Sequence, residues 1–213
     1  ANRSLSMGVK LAAASGGSIE LVPTNTASAF TVTVPASTTT MVGTDATQTL
    51  TNKTIQGGAI TSSTAVASTS GTSINFTGLP SWVKKITVML NGISLSGSSS
   101  LRFRIGTGGT VATSGYLGTG SNPNGSPATQ SFTAGFDMYG GLTAANAGYG
   151  SMVITLLGSN AWIANGTIGT SLPSVNSIAG SVTLGGTLDI VRITTVNGTD
   201  TFDAGTVNIL YEG

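Results

Sequence analysis

Apolar and polar residues alternate in short bursts along residues 75–213, the period-2 signature of half-buried strands. The bursts predict strands at Val83–Leu90, Leu101–Ile105, Met152–Leu157, Ala161–Ala164, Gly180–Leu184, Leu188–Thr195 and Gly205–Tyr211. Asn91-Gly92, Asn165-Gly166 and Asn197-Gly198 punctuate them, and such pairs supply the positive φ of tight turns. Short strands with this punctuation predict a β-sandwich or jelly-roll-like domain over 75–213. Gly106 to Gly150, rich in Gly, Asn, Ser and Ala, reads as long surface loops.

The first third has a different texture. Met7 to Ala14 (MGVKLAAA) is the one stretch with helical character, too short to hold without packing. Ser18–Val22 and Ala29–Val34 alternate around the turn at Pro23 and predict a hairpin, which cannot cover its own apolar face. Residues 35–75 are mostly Thr, Ser, Ala and Gly, with thinly spread apolar residues such as Leu50 and Ile55. Disorder usually comes with high net charge, and this stretch carries only Asp45 and Lys53. A shared interchain axis accounts for it better. The expected organisation is an all-β chain: an attachment arm at 1–14, an intertwined trimeric β shaft at 15–74 and a β-sandwich head at 75–213. Phe30, Val32, Val34, Leu50 and Ile55 are the expected shaft contacts.

Composition narrows the function. The 213 residues include 31 Gly, and only 7% are charged, against roughly a quarter in ordinary soluble domains. Solubility then rests on hydroxyls and amides, and repulsion between copies is weak. A formal net charge of +1 gives no long-range field for nucleic acid or an anionic membrane surface. The most apolar run, Met152 to Leu157 (MVITLL), falls far short of the ~20 residues of a membrane span. No signal-peptide core is visible near Ala1, and the lack of Cys suits a protein made in a reducing cytosol and equally a particle that must survive outside a cell.

With no His and no Cys, triads using either, the usual zinc sites and redox motifs are excluded. Glycan cleavage by paired carboxylates would draw on Glu20, Asp45, Asp137, Asp189, Asp200, Asp203 and Glu212, of which only Asp200 and Asp203 are close in sequence. Those two read as an Asx-stabilised turn. No catalytic, cofactor-binding or metal-ligating residue is assigned. Gly106-Thr-Gly-Gly109 lacks the Lys and helix of a phosphate loop and reads as turn glycines. Trp82 is expected at the domain edge and Trp162 in the core or a subunit contact. Arg102 and Arg104 share a strand face, solvated or paired with acids such as Asp137 or Asp189. Tyr116, Tyr139 and Tyr149 lie among Gly, Asn and Ser, a composition suited to adaptable recognition, and are candidate receptor contacts beside the plainer role of turn packing.

Met41 to Ile55, MVGTDATQTLTNKTI, resembles a segment that recurs in phage tail fibres and other phage virion proteins. Residues 15–37 (SGGSIELVPTNTASAFTVTVPAS) are similar to shaft units of the same proteins, and Asn197 to Glu212 to endings of phage fibre and head-decoration proteins. The quoted stretches make up about a quarter of the chain. It implies a homotrimeric appendage on the virion surface, anchored by a tail adaptor, baseplate or major capsid protein and facing a host cell-surface glycan or protein. Tail fibre or spike is the first expectation and capsid decoration the second. A glycan-degrading tailspike and a bacterial adhesin are further alternatives.

Overall fold

The computed structural model describes residues 9–12, 18–21, 60–123 and 128–213, and the chain divides into two units, Ala1–Lys53 and Thr54–Gly213. Among the described residues every regular element is a strand and every pairing is antiparallel.

In the first unit, β1 (Val9–Ala12) pairs with β2 (Ser18–Leu21), Leu11 opposite Ile19. Within Met7–Ala14, whose sequence suits a short helix or arm, Val9–Ala12 is a strand: an isolated helix of eight residues is marginal, whereas the strand satisfies its backbone groups against β2. β2 lies within the expected strand Ser18–Val22, but β1 is its partner. The partner expected from the sequence, Ala29–Val34, and the shaft contacts Phe30, Val32, Val34, Leu50 and Ile55 lie outside the described residues.

The second unit runs β3 (Ile60–Ser62), β4 (Val66–Ala67), β5 (Ser73–Thr77), β6 (Lys85–Leu95), β7 (Leu101–Thr107), β8 (Thr110–Val111), β9 (Leu117–Asn122), β10 (Ala128–Phe132), β11 (Phe136–Asp137), β12 (Gly148–Gly158), β13 (Ala161–Thr170), β14 (Ser174–Thr183), β15 (Ile190–Thr195) and β16 (Phe202–Glu212). The large sheet has the order β10-β9-β14-β13-β12-β6-β16-β3, with β4 also on β16. The small sheet has the order β11-β7-β15-β5, with β8 also on β7. Residues 60–74, assigned to the shaft from sequence, therefore supply strands to the same unit as the head. Their apolar content is low because β3 and β4 sit at the rim of the large sheet on β16.

Alternate residues of both sheets enclose one core. Ile86, Val88, Ile154, Trp162, Val207 and Ile209 come from the large sheet, and Phe76, Phe103, Ile105, Val191 and Ile193 from the small one. An aromatic trio closes one side: Tyr116 and Phe136 meet edge to face at 4.9 Å, and Phe132 meets Phe136 at 5.9 Å. The Phe132 ring fits because Gly118 and Gly180 face each other across β9 and β14. A Cβ on Gly118 would stand 2.5 Å from the ring, and one on Gly180 2.9 Å. The expected surface loops at Gly106–Gly150 are thus corrected, since this stretch holds four strands and buries Tyr116, Phe132, Phe136, Met138 and Leu142. Its glycines give room to aromatic rings as well as flexibility to turns.

Of the three Asn-Gly pairs, Asn197-Gly198 makes the expected turn, with φ of 72° at Gly198 and Asn197 Oδ1 accepting from the Thr199 and Asp200 amides at 3.1 Å. Asn91-Gly92 instead lies inside β6, where positive φ at Gly92 and Gly205 accompanies register shifts between β6 and β16. Asn165-Gly166 runs straight through β13, which pairs on both sides with β12 and β14.

Candidate functional site

The surface of the second unit offers three areas of distinct chemistry. The first is the outer face of the large sheet. Cross-strand register lines up Thr119, Ala179, Asn165, Val153, Thr87, Leu210 and Ser62 in one row. The row on one side carries Ser177, Thr167, Ser151, Met89 and Asn208, and the row on the other carries Leu117, Ser181, Ile163, Thr155, Lys85, Glu212 and Ile60. In these three rows Lys85 and Glu212 are the only charges, and they bond each other at 2.9 Å. Leu117, Ile163, Met89 and Ile60 are exposed apolar side chains on this face. It is wide, neutral and lacks the inward or edge charges that usually keep sheets apart.

The second area is a shallow groove of about 480 Å3 lined by Pro123, Gly169, Thr170, Pro173, Ser174 and Val175. Tyr149 stands opposite Gly169, which stands opposite Val175, so a Tyr and a Val share one row with only a glycine between them. Both are nearly half exposed, at 46% and 47%.

The third area is the outer face of the small sheet, where the arginines gather. Arg104 lies directly opposite Arg192, which lies opposite Asn75, and Arg102 stands opposite Asp137 on one side and Thr194 on the other. Asp137 takes Arg102 in a bidentate bond, Nε at 2.6 Å and Nη2 at 2.7 Å, with both side chains largely buried. This bond raises the Arg102 pKa above its ordinary value. Arg104 is shifted the other way, first by burial and then by Arg102, with Arg192 adding to it. Its Nε donates to the Ala134 carbonyl at 2.7 Å, and Arg192 Nε donates to Asn75 Oδ1 at 2.6 Å. The sequence pairs Arg102 and Arg104 on one face, as found. It gives no local sign of Arg192, which joins them through the register of β7 with β15.

The three tyrosines take separate roles. Tyr116 is fully buried, which corrects its candidacy as a receptor contact. Its hydroxyl accepts from the Ile105 amide at 3.0 Å and donates to the Ile105 carbonyl at 3.1 Å. Along this edge of β7, β11 pairs with Arg102 and Phe103 and β8 pairs with Gly106 and Thr107. Ile105 falls between them: its carbonyl also accepts from the Ala112 amide at 2.9 Å, and the phenol supplies the acceptor for its own amide. Burial pushes the Tyr116 pKa up to about 12. Tyr139 is half-buried on the segment after β11, and Tyr149 alone of the three presents a broad exposed face.

The acids are dispersed. Asp189 accepts from the Gly109 amide at 3.0 and 3.1 Å, Asp200 from the Ser99 amide at 2.9 Å, and Asp203 bonds the Ser94 hydroxyl. Asp200 and Asp203 thus serve separate partners around the β15–β16 turn, and among the described residues no three acids converge as metal ligands. Trp82 sits at the rim, 39% exposed and 5.7 Å from the Tyr211 ring, and Trp162 is buried in the core. No family model matches the chain, and no curated protein or solved structure is found similar to it.

Proposed function

We propose that this chain is a non-enzymatic structural subunit of a bacteriophage virion, a homotrimeric fibre or spike attached through its N-terminal region and displaying the second unit outward for attachment to the host. The observation that carries the reading is the neutral outer face of the large sheet. Exposed Leu117, Ile163 and Met89 stand there among hydroxyls and amides, and Lys85 and Glu212 cancel each other. Such a face lets copies approach without desolvating unpaired charge, and apolar area shared between them is worth about 25 cal/mol per Å2. Placement on a phage particle rests on the resemblance of MVGTDATQTLTNKTI to virion segments.

Two further features support the reading. Among the described residues, Asp189, Asp200 and Asp203 are tied to separate backbone and hydroxyl partners and Asp137 and Glu212 to basic side chains, an arrangement unlike the facing carboxylates of a glycosidase. The exposed Tyr149 beside the Gly169 and Val175 groove gives a recognition surface of low charge. A flat neutral face also favours capsid decoration as the second reading, in which the subunit lies against the shell.

Sedimentation and native mass measurements on the whole chain test the first claim. A trimer is expected, and a monomer persisting at micromolar concentration overturns it. Imaging of intact particles then separates the placements, with density at the tail marking a fibre and density at capsid threefold points marking decoration.

A further inference from the structure

Arg102, Arg104 and Arg192 are all the arginines of the second unit, and all three stand on the outer face of the small sheet. Arg102 is neutralised by Asp137. Arg104 and Arg192 are not: among the described residues neither has a carboxylate within ion-pair distance, and they are direct cross-strand neighbours, their Cα atoms about 5 Å apart. Like charges placed so destabilise a sheet. Both are nonetheless held in place through Nε, Arg104 by the Ala134 carbonyl and Arg192 by the Asn75 amide oxygen.

Those acceptors are neutral, so they orient the guanidinium groups without cancelling them. With Nε occupied, the Nη groups remain as the donors still to be used, in the planar fork that matches carboxylate and phosphate oxygens. An anion between the two arginines turns their repulsion into shared attraction. Beside it, the exposed side-chain amide of Asn75 is suited to the hydroxyls of a sugar, while the buried Thr194 hydroxyl is held by the Thr72 carbonyl.

We propose that Arg104 and Arg192 form an oxyanion site on the outer face of the small sheet, taking the carboxylate or phosphate group of an acidic polysaccharide. The polysaccharide rests on the host-attachment reading above, whereas the oxyanion chemistry stands on the arginine pair alone.

Calorimetric titration of the full chain with polygalacturonate, polyphosphate and neutral dextran tests it. Binding of at least one polyanion and none of dextran is expected, weakening as salt rises from about 50 to about 300 mM. Polygalacturonate alone identifies a carboxylate source, and polyphosphate alone a phosphate source. The double variant Arg104→Gln/Arg192→Gln should bind at least about tenfold more weakly while melting no lower than the parent, because it loses repulsion along with binding. Should that variant fold poorly, Arg104→Lys/Arg192→Lys keeps both charges, loses the fork, and should still bind several-fold more weakly. Undiminished binding in a folded variant, binding of dextran equal to that of the polyanions, or no binding of either polyanion overturns the site. A trimeric chain that binds neither polyanion sinks this inference and leaves the assembly reading standing, while a monomer that binds them does the reverse.

Discussion

The two outer faces of the second unit handle charge in opposite ways. The large sheet spreads hydroxyl, amide and apolar side chains across many strands, closes Lys85 with Glu212 and holds Asp203 on the Ser94 hydroxyl. The small sheet gathers three arginines on two adjacent strands and gives them a single acid. The contrast teaches that a low total charge says little about a surface until the charges are placed. All the arginines of this unit lie on the smaller of its two sheets, and the central rows of the larger hold a single self-cancelling pair.

The contrast can be broken most severely at Arg102. Arg102→Ala strands the largely buried Asp137 carboxylate, and a loss of about 3 kcal/mol is expected in urea unfolding. A loss below about 1 kcal/mol would show that the pair is solvated and contributes as a surface ion pair does. Next comes alkaline pH. The Tyr116 pKa rises from an ordinary 10.0 to about 12 in the fold. The neutral phenol therefore favours the folded state, and this contribution is whole below pH 10 and lost as pH climbs from 10 to 12. The expected decline is about 2 to 3 kcal/mol, and Tyr116→Phe should remove that pH dependence. At neutral pH Tyr116→Phe should itself lose about 1 to 3 kcal/mol, because the Ile105 amide is left without an acceptor. The gentlest changes fall on the outer face of the large sheet. Ile163→Lys should alter subunit stability by no more than about 0.5 kcal/mol yet shift the assembly toward monomer in sedimentation. A trimer of unchanged strength would move the interface away from this face.

The sequence was most informative where burial alternates. The core strands at Leu101–Ile105, Met152–Leu157, Ala161–Ala164 and Gly205–Tyr211 each fall inside an observed strand because their inward residues face a common core. Their ends were hidden by Gly and Asn, which are weak strand formers in isolation. β13 runs on through Asn165-Gly166 because β12 and β14 pair with it on both sides, a tertiary effect that no local window contains. The stretch Gly106–Gly150 was misread for a related reason. Its glycines suggest flexible loop, yet Gly118 there, with Gly180 opposite it on β14, leaves the room that seats the Phe132 ring. Of the arginine site, Arg102 and Arg104 were visible two residues apart, whereas Arg192 reached them through pairing between distant strands.

The phenol of Tyr116 has a consequence for life at high concentration. The free edge of a sheet is where one protein molecule can recruit the next into a growing stack. Along β7 that edge is plugged in sequence by β11, by a side-chain hydroxyl and by β8, so no run of open backbone is left on which a foreign strand could zip. Molecules crowded side by side therefore cannot add a strand along β7 and must meet elsewhere on the surface.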